Sequence, residues 1–79
     1  MTTEAVQELY AQLGRAVQDE EEAIAVYKRL LTAAYHAEMD VPPIASTIQK
    51  ILLPILAEEQ QHRKNLLYAL ELLQRMRTR

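Results

Sequence analysis

Three side chains of the kind that bind metal ions, Glu20, Glu59 and His62, interrupt two otherwise apolar patterns in this sequence. Read in steps of three and four residues, the apolar positions are Leu13, Val17, Ile24, Tyr27 and Leu31 in the first pattern and Ile48, Leu52, Ile55, Leu66, Leu70 and Leu73 in the second. A carboxylate in apolar surroundings needs a partner, because the loss of its hydration otherwise forces it to take up a proton. A divalent metal ion would satisfy all three side chains, since carboxylate oxygens and imidazole nitrogens are ordinary metal ligands.

The elements that must position these side chains are predicted to be helices. The 79 residues include one glycine and three prolines, 49% of them are hydrophobic, and the helix-favouring types Ala, Leu, Glu and Gln are abundant. A chain this short buries little of its own surface, and no cysteine is present to cross-link it. We therefore predict an all-α protein that shares its core with further copies, as a homodimer or a higher homo-oligomer.

The segment 40–43, which contains two consecutive prolines, separates the two patterns. Each proline lacks a backbone N–H and restricts the residue before it, so this segment should end one helix and allow another to begin. We predict a single helical-hairpin domain, 1–79, with helix one at about 3–39 and helix two at about 43–78. Pro54 should kink the second helix, either as a curve along a partner or to orient the metal ligand that follows it.

In an antiparallel hairpin the three candidate ligands should meet at one level. Counted from residue 41, Glu20 lies 21 residues back, and Glu59 and His62 lie 18 and 21 residues forward. At a rise of about 1.5 Å per residue, each lies roughly 30 Å from the turn. This level is near the middle of each helix, so a two-fold axis there would bring a second copy of the triplet alongside. Two hairpins would then form a four-helix bundle.

Such a dimer would present one Glu from each of two helices and a Glu-x-x-His motif from each of the other two. This is the inward-facing ligand set of ferritin-like di-iron carboxylate proteins. Oxygen-rich ligands with one imidazole per metal suit Fe or Mn better than a structural zinc site, which favours thiolates and imidazoles. Iron, as two ions at the dimer interface, is therefore the predicted metal, with Mn or Zn as substitutes.

Two segments, DEEEAIAVY at 19–27 and EEQQH at 58–62, resemble the half-bundle ferritin-like proteins, especially encapsulated ferritins, and more distantly one half of rubrerythrin. The resemblance covers both helices, roughly residues 13–73. It implies a ferroxidase, an enzyme that binds ferrous iron and oxidises it with dioxygen or peroxide. It also implies dimers that assemble further into a ring.

The resemblance implies roles for individual side chains as well. Glu20 would bind or bridge iron, and Glu59 and His62 would complete the metal site and so carry the catalysis. The residues expected beside the metal or on its entry route are Tyr27, Asp19 and Glu22.

Two residues near the predicted metal ligands, Tyr27 and Glu58, each have two possible roles. Tyr27 is as well explained by a core tyrosine with a satisfied hydroxyl as by a residue that hydrogen-bonds a ligand or supplies an electron. Glu58 reaches His62 one helical turn later, so it is either a partner of that ligand or a surface charge.

Two features of the sequence differ from the resembled family. The connection that includes Pro42 and Pro43 looks longer, and the sequence ends at Arg79 without the tail that directs such proteins into a protein shell, so an encapsulating shell stays open.

The formal net charge of −2, with both signs mixed, predicts no nucleic acid and no anionic membrane as partner. The longest apolar run, 51–57, is far below the roughly 18 residues of a membrane span, and the N-terminus lacks a leader pattern, which favours a cytoplasmic protein.

Three other functions remain open at this point. The same site would serve a binding module that holds Fe, Mn or Zn and catalyses nothing. A metal-free helical assembly domain would use Glu20 and His62 as an ion pair between helices. A rubrerythrin-like peroxide reductase would use the metal centre with electrons from a separate protein.

Overall fold

The predicted all-α helical hairpin is confirmed. A computed structural model describes residues 3–77 as α1 (Thr3–His36), a short 3-10 helix (Ala37–Met39) and α2 (Pro42–Arg77), with the two long helices antiparallel. The predicted helices ran from about 3 to 39 and from about 43 to 78, and the last of these positions lies outside the described residues. None of the helices in the described part of the chain is both long and apolar enough to cross a membrane.

The turn between the helices is held by backbone hydrogen bonds. The amides of Asp40 and Val41 donate to the carbonyl of Ala37 at 3.1 and 3.0 Å, and the amide of Ala45 donates to the carbonyl of Val41 at 2.9 Å. Proline is well suited to the first position of α2, at Pro42, because an amide hydrogen there has no partner inside the helix. The chain therefore reverses within a few residues, and the positions equidistant from the turn face one another.

Cross-helix contacts hold this register along the whole hairpin, which measures 58 by 14 by 14 Å. Near the turn, Gln49 Nε2 donates to the carbonyl of Ala34 at 3.5 Å, and near the open end Gln74 Nε2 donates to the hydroxyl of Tyr10 at 2.8 Å. Between these contacts α2 runs without interruption through Pro54. The level at the middle of both helices is thus fixed from both sides.

The residues at the contact between the two helices follow a seven-residue repeat, which is the pattern of two helices that coil around each other. We call this contact the seam. On α1 the seam residues are Tyr10, Leu13, Val17, Glu20, Ile24, Tyr27, Leu31 and Ala34. On α2 they are Ala45, Gln49, Leu52, Leu56, Glu59, Arg63, Leu66, Leu70 and Leu73.

The prediction of which α2 residues face α1 was partly wrong. Leu52, Glu59 and Leu66 lie in the seam as predicted, but Ile48 is 41% exposed and His62 is also exposed, both on the neighbouring row. The reason is that the row through Leu52 and Glu59 has apolar residues on both of its sides. Packing against α1 uses only one side, and the sequence does not say which.

The residues that lie one position before a seam position, on the side of His62, form an almost wholly apolar surface. We call this surface the apolar face. Its residues are Leu9, Ala16, Ala23 and Leu30 on α1 and Ile48, Ile55, His62, Ala69 and Met76 on α2. His62 is the one polar residue among them, and four of the large apolar ones, Leu9, Leu30, Ile48 and Met76, are exposed. A second element is needed to remove this surface from water.

The overall dimensions also indicate that the single hairpin leaves more surface exposed than a compact protein of its size does. The single hairpin exposes 6047 Å², whereas a compact monomer of its mass exposes about 4,900 Å². Its radius of gyration is 17.9 Å, against about 12 Å for a compact domain of 79 residues. The excess surface is of the order that one partner contributes to a stable interface, about 800 Å².

Candidate metal centre

The hairpin brings Glu20, Glu59 and His62 together. Each offers one ligand atom, and these atoms lie within 4.8 Å of one another. Glu59 and His62 are one turn apart on α2 and project in similar directions, while Glu20 approaches from α1 at the same distance from the turn. His62 Nδ1 lies 3.7 Å from Glu20 Oε1. We call the three residues the carboxylate–histidine cluster.

One atom of the cluster is left unsatisfied. Glu20 Oε2 is buried and has no hydrogen-bond partner within the described residues. Buried polar atoms in folded proteins are almost always paired, so an orphaned carboxylate oxygen calls for a ligand or a proton. A cation placed among two carboxylates and an imidazole would satisfy it, and this donor set is suitable for Fe, Mn or Zn.

The surroundings of Glu20 in the metal-free cluster disfavour its charged form. A hydrogen bond that Glu59 makes with the protonated carboxyl raises the pKa of Glu20 above its ordinary 4.5, and desolvation and the charge of Glu59 act in the same direction. The charge of Asp19 also raises this pKa, whereas that of His62 lowers it. A carboxylate binds a metal in its deprotonated form, so a divalent ion bound at the cluster would act against this shift.

The raised pKa of Glu20 predicts how the stability of the metal-free protein depends on pH. The folded chain holds this proton more tightly than the unfolded chain, in which the carboxyl titrates near 4.5. The free energy of unfolding should therefore fall as the pH rises from 4.5 through the raised pKa. Urea unfolding at constant protein concentration measures this, and Glu20→Gln should remove that part of the decline. A variant with the same pH profile as the wild type would show that another group causes it.

The cluster is unequal in its exposure, and this affects how a metal would be held. The side chain of Glu20 is 22% exposed, whereas that of His62 is 55% exposed and belongs to the apolar face. A metal ion bound by one hairpin would thus be enclosed on the side of the seam and open toward the apolar face. Whatever covers that face would also cover the metal.

The four other predicted site residues lie around the cluster without contacting it through a hydrogen bond or ion pair among the described residues. Tyr27 is half-buried in the seam, two helical turns beyond Glu20. Asp19, Glu22 and Glu58 are exposed, and of these Asp19 acts on the cluster through its charge on Glu20. Their predicted roles beside the metal and on its entry route stay predictions.

Sequence reasoning missed a salt bridge at the same level. Arg63 contacts Glu21 Oε1 through Nε at 3.2 Å and through a terminal nitrogen at 3.1 Å, so it joins the two helices next to the cluster. Each partner directly follows a candidate ligand in the sequence. The available signal was that these two residues are equidistant from the turn and opposite in charge.

Comparisons of the chain with protein-family models, with curated proteins and with solved structures gave no significant match. The function must then be inferred from the chemistry and geometry of the site itself.

Proposed function

We propose that the chain forms a homodimer through its apolar face and that the dimer is a ferritin-like four-helix bundle. The support is the exposed apolar surface on one side of a hairpin that has little interior of its own. The α2 row of Ile48, Ile55 and Ala69 supports it further, because α1 packs on the other side of the seam row and leaves this one uncovered among residues 3–77. A two-fold axis near the middle of the helices would seat this flank against its own copy.

In this dimer the two carboxylate–histidine clusters come together. Each contributes two carboxylates and one imidazole, so the pair offers the ligands of a di-iron carboxylate centre. Four carboxylates in one place repel one another, and two divalent cations would balance them. The single observation that carries this proposal is the buried, unpaired Glu20 Oε2 in a cluster that opens onto the apolar face.

The activity that we propose for this centre is the oxidation of ferrous iron, which is its substrate. Two ferrous ions give up one electron each, and these electrons, with two protons, reduce dioxygen to hydrogen peroxide or hydrogen peroxide to water. The protein holds both ions at one place so that a two-electron oxidant meets them together.

The chain's own residues have defined tasks in this proposal. Glu20 and Glu59 would supply carboxylate ligands to the incoming cation, and His62 would supply a nitrogen ligand from the side of the apolar face. The exposed Asp19 and Glu22 would increase the local concentration of cations at the surface near Glu20. The covering partner would exclude water from the bound ions.

The direct test of this activity is stopped-flow absorbance after ferrous iron is mixed with the protein in air. The wild type should form ferric product faster than buffer at the same pH, and the initial rate should scale with the concentration of dimer. A rate equal to that of buffer would remove the catalytic proposal. Anomalous scattering at the iron edge from soaked crystals would then decide whether the site still binds metal without turnover.

A metal-free assembly domain has one specific observation in its favour, the 3.7 Å approach of His62 to Glu20. The two functions differ in how stability responds to metal. Saturation at 100 times the dissociation constant stabilises a protein by about 2.7 kcal/mol per site. For a chain of this size, that corresponds to a rise in melting temperature of roughly 10 °C or more.

We therefore expect the melting temperature to rise when Fe(II), Mn(II) or Zn(II) is added and to return to its starting value with excess chelator. Glu20→Gln, which removes a charged ligand without changing its shape, should reduce this rise. A melting temperature that is indifferent to all three metals would support the ion-pair function instead.

A further inference from the structure

A groove lies on the side of the hairpin away from the apolar face, at the level of the carboxylate–histidine cluster. It has a volume of about 420 Å³ and is lined by Glu21, Ile24, Lys28, Gln60, Arg63 and Lys64. Four of these residues lie one position after a seam residue, whereas the apolar face lies one position before. A partner on the apolar face would therefore leave this basic groove open.

The charges in the basic groove do not cancel. Arg63 and Glu21 form an ion pair with each other, and both are partly exposed. Neither Lys28 nor Lys64 has an ion-pair partner among residues 3–77, so the groove carries two uncompensated positive charges, one from each helix. Two ammonium groups that line one concave surface from different helices attract an anion more strongly than either does alone.

We propose that the basic groove binds a small oxyanion that carries two or three negative charges, of the phosphate or polycarboxylate kind. The ammonium groups of Lys28 and Lys64 would pair with its charged oxygens, and the amide of Gln60 would donate a further hydrogen bond. Ile24 provides an apolar wall, and the volume is within the range of about 300–1,000 Å³ that is usual for small-molecule sites.

This anion site is independent of the proposed metal chemistry. Its lining residues come from both helices of one hairpin, and none of them belongs to the carboxylate–histidine cluster. The binding therefore requires neither a bound metal nor a second copy of the chain. Loss of iron oxidation would leave the anion site intact, and loss of anion binding would leave the metal proposal intact.

The test is an NMR titration of the 79-residue chain, without added metal, in about 0.1 M sodium chloride, where long-range surface charges are largely screened. Inorganic phosphate and tricarballylate, a tricarboxylate, are the two probes. We expect saturable shifts of the Gln60 side-chain amide and of the backbone amides of Glu21 and Arg63. Lys28→Gln/Lys64→Gln should weaken binding about tenfold or more, since two charge-assisted contacts are lost.

The matched control is Arg15→Gln/Lys50→Gln, which removes the same charge from two residues that do not line the groove. This control should bind the anion as the wild type does. Saturation by phosphate alone or by tricarballylate alone would support the site and assign it to that kind of anion. Shifts that never saturate, or equal weakening by the control, would overturn the proposal.

Discussion

Glu59→Gln and His62→Ala should each lower the initial rate of ferrous iron oxidation in air by roughly 100-fold, because even the indirect partners of metal ligands are worth 10–100-fold. In the proposed dimer, each substitution removes its ligand from both halves at once. Glu59→Gln keeps the shape of the side chain in the seam but loses the negative charge. His62→Ala leaves a residue that is tolerated in an apolar row. Stopped-flow absorbance at matched protein concentration measures both effects.

Two matched substitutions control for the loss of a carboxylate or an imidazole as such. Glu71→Ala removes an exposed carboxylate further along α2, and His36→Ala removes the other histidine, which is exposed at the end of α1. Both should oxidise iron at the wild-type rate. The catalytic proposal fails if either cluster variant keeps the wild-type rate, or if the controls fall with it while all four variants remain folded by circular dichroism.

Ile48→Glu should dissociate the proposed dimer. Ile48 is 41% exposed in the single hairpin and lies on the apolar face, so the substitution would place one unpaired carboxylate from each copy at the interface. An uncompensated buried charge costs about 3–5 kcal/mol, so the dissociation constant should rise at least about 1,000-fold. Sedimentation velocity over a range of concentrations measures the shift from dimer to monomer.

Leu53→Glu is the matched control for this experiment. Leu53 is 46% exposed on the same helix and lies one position after a seam residue, on the side of the basic groove. It should leave the dimer intact, although both substitutions add the same charge to a similarly exposed apolar position. If the dimer survives Ile48→Glu, or if both variants dissociate it equally, the interface lies elsewhere.

The hairpin and the meeting of the three candidate ligands were predictable from the sequence. Consecutive prolines at 42–43 fix where the chain reverses, and distance from that turn fixes which residues are level with one another. Helix periodicity then places Glu20 and Glu59 in the seam. These inferences need only the rise per residue and the helical repeat, and both are nearly constant among proteins.

The rotation of α2 about its own axis was not predictable. Its row through Leu52, Glu59 and Leu66 has apolar residues on each side, so periodicity alone does not decide which side faces α1. The structure selects the side with Leu56 and Arg63 for the seam and leaves the side with His62 outside. That choice depends on the fit between side chains of both helices, and it also decides where the basic groove forms.

The small interior of the single hairpin affects how long an unassembled chain would survive in a cell. Only five apolar side chains are buried within the described residues, and none of the large ones is fully enclosed. Helices held by so few contacts open frequently, and cellular proteases cut chains in the open state. Newly made copies should therefore be short-lived until they assemble into the proposed dimer, so the steady-state abundance should rise more steeply than the rate of synthesis.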